Sequence, residues 1–353
     1  MLKKRLIAVA TLALVSSLAT AQSTVTVYGN LDVGLLTQNH AQVKTKIYNG
    51  GIAPSIWGFR GSEDLGGGLK AHFNLEGHIE ADTGASGGNA TTGASALFRR
   101  QSNVGLSYAD LGKLTLGNQY SPAILAFAAT DPRGLRENFS GLYSWAYSSG
   151  VLTPGGNLNN DVGVFVQNAI SYSNNFGPVG IAGAYSVSEG RGAVYSLGAT
   201  YAGPVSLSAA YQSTNKPNTS DRLSSIYTLG AGYTIGDFSG KLNYLRGVNK
   251  NAVTLAETSR VGVLGVGVDW KTAASNTVGA SAYFGKDKNN SADKTTTLIL
   301  SDEYSLSKRT TLYGTLAFAN AKAGATLLTS VVAGGTMANT TTSLLNLGIK
   351  HSF

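Results

Sequence analysis

Residues 69–80 read Leu-Lys-Ala-His-Phe-Asn-Leu-Glu-Gly-His-Ile-Glu. Leu69, Ala71, Phe73, Leu75 and Ile79 fall on one parity, and Lys70, His72, Asn74, Glu76, His78 and Glu80 on the other. Side chains of an extended chain alternate with a period of two, so this stretch is a strand with one apolar and one polar face. The run reaches about ten residues, enough to cross a bilayer at a tilt; strands of soluble sandwiches average about 5–6. A full charge facing hydrocarbon near the midplane costs roughly 2–4 kcal/mol. The apolar face therefore meets lipid, and the face with Lys70, Glu76 and Glu80 lines a wet interior. An open sheet edge in hydrocarbon leaves backbone groups without partners, so such strands must close into a barrel.

The same alternation recurs along the chain, as in Val25, Val27, Leu31, Val33 and Leu35, and again at Leu345, Leu347 and Ile349. About sixteen segments follow it. They begin near Thr24, Ser55, Leu69, Phe98, Lys113, Gln167, Val179, Val194, Val205, Leu223, Phe238, Val261, Thr277, Thr295, Thr310 and Thr341. Short turns such as Asp64–Gly68, Gly203-Pro204 and Gly236-Asp237 alternate with longer polar links such as Gln38–Pro54, Ala81–Leu97 and Lys322–Thr340. Short turns on one side and long loops on the other describe an all-β, 16-stranded antiparallel transmembrane β-barrel. Trp57, Tyr108, Tyr172, Tyr201, Tyr244 and Trp270 sit near strand ends, where amphipathic rings favour a membrane interface.

One link stands apart. Between Tyr120 and Gln167 the alternation is weak, and links beyond about 12–15 residues are usually functional or disordered. Ser121-Pro122 ahead of Ala123–Ala129 has the form of an N-cap with Pro at the first helical position. Asp131, Arg133, Arg136 and Glu137 follow directly. The expectation is a third external loop folded into the pore, with its acids set against a basic wall. Candidates for that wall are Arg60 on the second strand and Arg99 and Arg100 opening the fourth; strict alternation puts Arg100 on the outer parity with Val104 and Leu106.

The N-terminus begins with Lys3, Lys4 and Arg5, continues with an apolar run from Leu6 to Leu18, and carries Ala19-Thr20-Ala21. That is the layout of a secretory signal peptide over residues 1–21, leaving 22–353 as the barrel. The chain has 27 basic and 19 acidic residues, so loss of the leader leaves 24 against 19. This mild excess lacks the dense basic stripe of a nucleic-acid protein, and can serve contacts with anionic lipopolysaccharide outside the barrel. Cysteine is absent, so no disulfide framework exists.

The stretches Val25–Gly34, Trp57–Lys70 and Leu97–Gln101 together resemble the Gram-negative porins of β-proteobacteria. So do Gly112–Tyr120, Tyr304–Arg309 and the end, Leu347–Phe353. The resemblance is dense to about residue 121 and again from about 300. It implies a homotrimer in the outer membrane, and a water-filled channel for ions and small hydrophilic solutes narrowed by the third loop. It also implies that the terminal Phe353 is read by the barrel-assembly machinery as part of the insertion signal. Arginines are implied at positions like Arg60 and Arg100. Ile56, Asn118 and Phe165 stand where the family often has arginine. Each departure removes positive charge, while Glu76, Glu80, Asp131 and Glu137 pull toward cations, so the sign of selectivity stays open.

No cofactor is implied. None of His40, His72, His78 and His351 lies in a nucleophile motif, so the chain reads as no enzyme. His72, Glu76 and His78 share a strand face, but ligands on one strand need a partner element to converge on a metal, and none is visible. Lumen polarity accounts for them more simply.

Overall fold

Antiparallel pairing runs without a gap around one ring. The computed structural model describes residues 24–40, 43–86, 96–136, 139–141, 163–187, 189, 192–325 and 338–353; the leader read at 1–21, and Glu137, lie outside the described residues. The strands are β1 Thr24–Gln38, β2 Thr45–Asn49, β3 Ile56–Gly66, β4 Leu69–His78, β5 Gln101–Tyr108 and β6 Gly112–Tyr120. After a helix α1, Pro122–Thr130, come β7 Phe165–Phe176, β8 Val179–Ser186, β9 Val194–Tyr201, β10 Val205–Asn215 and β11 Arg222–Ile235. The ring is completed by β12 Phe238–Lys250, β13 Glu257–Ala273, β14 Asn276–Asp287, β15 Lys294–Ser305, β16 Thr310–Ala321 and β17 Thr340–Ser352.

The seam lies at β1. Its residues Asn30–Gln38 pair with β17, from Asn30 opposite Ser352 to Gln38 opposite Leu344. On its other side Thr24–Asn30 pair with β3 and Val33–Thr37 with β2. β2 and β3 are thus two halves of one barrel strand, and the 17 segments form a closed 16-stranded antiparallel barrel. The terminal residue completes the seam: Phe353 N–H donates to Gly29 O at 3.0 Å, and Gly29 N–H to Phe353 O at 3.3 Å.

Two boundaries differ from the sequence reading, each for a local reason. Gln38–Pro54 is not one polar link. Thr45–Asn49 pairs with β1, its Ile47 opposite Leu35 and its Thr45 hydroxyl 2.6 Å from that of Thr37. The strand then breaks because Asp32, fully buried, accepts the Ile52 and Ala53 N–H groups at 2.8 and 2.7 Å and the Tyr313 hydroxyl at 2.5 Å. The fourth barrel strand, β5, begins at Gln101 rather than Phe98, since residues 97–100 turn; Phe98 packs on Trp57 at 5.7 Å and Arg100 N–H donates to Glu76 O at 3.1 Å.

The two faces separate as the alternation requires. Leu207, Leu229, Leu242, Leu264 and Leu298 point outward and are 38–59% exposed. Their inward neighbours Ser208, Asn243 and Thr297 are buried. Outward aromatic residues mark both ends of the apolar band, among them Tyr185 and Tyr195 near the long links and the stacked pair Phe238–Trp270 near the short turns. Leu300, outward between Ala280 and Leu316 and 43% exposed, sits within the band. Leu300→Arg is expected to lower stability in lipid by ~2–4 kcal/mol in reversible urea unfolding from liposomes. An unchanged midpoint would show that this face does not meet hydrocarbon.

Candidate functional site

The interior departs from the polar rule along one side. Leu36, Ile226, Leu245, Val263, Ile299 and Leu344 all take the inward parity and are buried. They pack with Ala123, Ile124, Phe127 and Phe139 of the third long link, whose described residues 121–136 and 139–141 lie against the inner wall. Burial of these apolar groups away from both water and lipid holds the segment to that side.

The local sequence explains the helix. The Ser121 hydroxyl accepts the Ile124 N–H at 3.1 Å and Pro122 occupies the first turn, where a missing N–H costs nothing. Two wall glycines let the backbone come close. A Cβ on Gly198 would fall 2.3 Å from Pro122 O, and one on Gly230 would fall 1.9 Å from Thr130 Oγ1. Polar contacts then fix the register: Ala123 N–H donates to Ser196 Oγ at 3.0 Å, and Asn243 Nδ2 donates to Thr130 Oγ1 at 2.6 Å.

The described charged residues after α1, Asp131, Arg133 and Arg136, are bound into the same wall. Asp131 is fully buried; it accepts the Tyr283 hydroxyl at 2.9 Å and the Leu135 N–H at 2.8 Å. The second bond closes a turn with Gly134 and Leu135 in the left-handed region, at φ 57° and 58°. Burial pushes the Asp131 carboxyl above the ordinary carboxylate range, against the pull of these two bonds. Arg133 donates to Ser301 Oγ at 2.6 Å and to Phe139 O at 3.3 Å. Arg136 forms a two-pronged pair with Glu303 of β15, at 2.6 and 2.7 Å. On this side the loop supplies the arginine and the wall supplies the acid.

The wall of β1 and β3 to β7 holds a second charged group. Arg60 points inward, is exposed, and lies 4.8 Å above the Tyr28 ring. The Tyr28 hydroxyl is 2.8 Å from Glu76 Oε2, and Glu76 Oε1 accepts Arg100 Nε at 2.9 Å. Arg100, 2% exposed, also donates to the Tyr120 hydroxyl and lies 5.1 Å from the Phe165 ring centre. Arg100 thus turns inward although strict alternation puts it outside: the turn before Gln101 breaks the parity. Arg99 is 7% exposed, and the carbonyls of Arg99 and Arg100 accept the Asn118 amide at 2.8 and 3.2 Å. Glu80 bonds His78 Nε2 at 3.0 Å; that bond first, then Asn49 and the charge of Arg99, hold its carboxyl below the usual range despite burial.

Of the three departures from the expected arginines, Asn118 and Phe165 both contact Arg100 or its backbone, and Ile56 pairs with Asn30 and His78. Below them Lys70, Ser107, Lys113 and Ser173 form one inward row across β4 to β7. Lys70 and Lys113 are exposed, and together with Pro122, Leu125 and Ala126 of α1 they line a cavity of about 810 Å³. Lys113 was missed as a site residue, although its alternation with Leu114 and Leu116 carries the signal.

A closed barrel of this strand number matches known proteins. The Gram-negative porin family model matches residues 8–324. The chain belongs to the Gram-negative porin family. Outer membrane porin protein 32 of Delftia acidovorans is 33% identical over the full length of both chains. An outer membrane porin protein of Bordetella pertussis is 36% identical over 38% of this chain and 37% of its own. Among solved structures, the anion-selective porin from Comamonas acidovorans superposes with a TM-score of 0.79 at 26% identity, covering 94% of this chain and all of that one. The porin is an outer-membrane protein.

Two outcomes follow from the anchoring of the loop in this porin. Arg136→Ala leaves Glu303, whose side chain is 17% exposed, without its partner, and is expected to cost about 2 kcal/mol. Arg136→Ala with Glu303→Ala is expected to recover part of that loss in a double-mutant cycle by urea unfolding. The second outcome concerns pH. The folded Asp131 pKa lies above the unfolded one, so its contribution is complete below the ordinary carboxylate pKa and is lost as pH rises through the raised value. Stability of the wild type relative to Asp131→Asn is therefore expected to fall as pH rises from the acidic side; a pH-independent difference would refute the upward push on this carboxyl.

Proposed function

We propose that this general diffusion porin passes ions and small hydrophilic solutes along the gap between α1 and the wall of β4 to β7, with a preference for anions. One observation carries the sign. At the level of the loop, Asp32, Glu76 and Asp131 are buried and Glu303 is bound to Arg136, whereas Arg60, Lys70 and Lys113 remain exposed to the lumen. Bound acids present little charge to a passing ion, and exposed cations present all of theirs. At physiological salt the Debye length is about 8 Å, so fixed charge acts where the passage is narrow and is screened in the wide mouths. Charged rings at a constriction set selectivity in this way. The similar Comamonas protein is described as an anion-selective porin, which supports the same sign.

In this reading Arg60 presents the open charge on the basic side of the constriction, with Arg99 and Arg100 buried behind it, and Asp131, Arg133 and Arg136 fasten the loop opposite. Lys70 and Lys113 extend the positive field toward the short-turn mouth. Phe353, closing the seam with Gly29, serves as the residue read by the assembly machinery. The working unit is a homotrimer.

Planar-bilayer recording under a salt gradient tests the proposal. The expected result is ohmic steps with a reversal potential of anion-selective sign, moved to cation-selective sign in Lys70→Glu with Lys113→Glu. A cation-selective wild type would overturn the charge argument. Correctly folded protein with no conductance would overturn the open channel.

A further inference from the structure

One inward row of directly opposed residues changes character as it crosses the wall. It runs through Lys70, Ser107, Lys113 and Ser173 on β4 to β7 and continues with Ala182 on β8 and Gly198 on β9. Cations and hydroxyls occupy one half of the row, and the other half has neither. Asp64 opposes Lys70 ahead of the row, but it lies at the exposed turn, where its carboxylate accepts the Gly66 N–H at 2.9 Å.

The helix over this row sharpens the contrast. α1 buries Ile124 and Phe127 against the inner wall but leaves Leu125 53% exposed. No residue of Pro122–Thr130 carries a charge. Gly198 allows the close placement, since a Cβ there would fall 2.9 Å from Ala126 Cβ. Leu125 and Ala126 thus belong to the apolar half, and with Ala182, Lys70 and Lys113 they line the one cavity of about 810 Å³. The cavity reaches Gly68 and Gly112, so it lies toward the short turns.

A bare inorganic anion uses only the cationic half. Neighbouring strands lie about 4.8 Å apart, so the backbones of Lys70 and Lys113, with Ser107 between them, are roughly 10 Å apart. Flexible four-carbon stems let both ammonium groups reach one carboxylate, and Ser107 and Ser173 offer hydroxyl donors beside it. The rest of the same molecule then lies against Leu125, Ala126 and Ala182, where leaving water favours an apolar body. A second charge at that end meets no counter-charge among the described residues of the cavity, and desolvating it unpaired is costly.

We propose that this cavity is a binding step for monovalent organic acids with an apolar body, medium-chain or aromatic carboxylates, and that Leu125 selects for that body. The inference rests on the anion-preferring passage proposed above and names the class of anion that the passage favours.

The test is planar-bilayer recording in potassium chloride at neutral pH, with acetate, hexanoate or adipate added. The half-blocking concentration of each acid is read from the fall in chloride current. Hexanoate is expected to block at a concentration on the order of tenfold below acetate, the ratio for about two methylenes removed from water. It is also expected to block below adipate, its doubly charged counterpart. Leu125→Asn is expected to remove the difference between hexanoate and acetate, and Lys113→Gln to weaken both acids alike. Should Leu125→Asn displace the helix, Ala182→Asn on the barrel wall reads the same difference and is expected to shrink it severalfold. Equal block by hexanoate and acetate in an anion-selective wild type would overturn this inference and leave the anion-preferring channel standing. Tighter block by adipate, or a hexanoate preference kept in both Leu125→Asn and Ala182→Asn, would do the same. A cation-selective wild type blocked by neither acid would overturn the anion preference and this inference together.

Discussion

Hydrocarbon offers no partner to an unpaired N–H or C=O, and the rest of this structure follows from that constraint. An open sheet edge is excluded, so β1 must find β17 across more than three hundred residues of chain. Ring closure leaves each strand two faces, one toward lipid and one toward water, and the residue alternation is the chemical consequence. It also explains why β1 can tolerate a broken neighbour. Where β2 and β3 separate, the freed N–H groups of Ile52 and Ala53 are taken up by Asp32, and the break is turned into the water-facing interior.

The interior is not uniform, and its asymmetry is built from packing. A wall of Leu245, Val263, Ile299 and Leu344 would be an anomaly in a wet lumen, but it becomes a binding surface for α1 and Phe139. Gly198 and Gly230 set how closely the helix can approach that surface. Asp131, Arg133 and Arg136 then hold the turn beyond it. Water is left with the other wall, which is where Arg60, Lys70 and Lys113 are exposed.

Much of this was legible in the sequence. Period-two alternation located the strands, and Ser121-Pro122 located the start of α1. What was not legible depends on distance or on irregularity. The Arg136–Glu303 pair joins residues 167 positions apart, and no local pattern encodes it. Thr45–Asn49 was hidden because five residues are too few for alternation to stand out in a polar link. Arg100 could not be oriented from parity, since the parity rule holds only while the chain is extended and residues 97–100 turn. The inward valines of β13 were visible as apolar on both parities in Val261-Gly-Val-Leu-Gly-Val-Gly-Val268, a pattern with meaning only once something is known to pack inside the ring.

The positions where the sequence reading expects arginine show how charge and support trade places. Phe165 brings no charge, but its ring lies beside the Arg100 guanidinium, and Asn118 ties down the backbone that carries Arg99 and Arg100. Arg100 in turn is paired with Glu76 and almost wholly buried, so its own field on the lumen is largely cancelled. Counting arginines along the constriction therefore misjudges the field that an ion meets. In the proposed reading the charges that matter are those open to water on the wall facing α1, where Arg60, Lys70 and Lys113 are exposed and form no ion pair among the described residues. Their reach is limited by the mobile ions around them, about 8 Å at physiological salt and about 3 Å at 1 M. In the proposed reading, selectivity built on exposed cations is a property of the narrow gap beside α1 rather than of the barrel, and it rests on the same contacts that keep the helix against its wall.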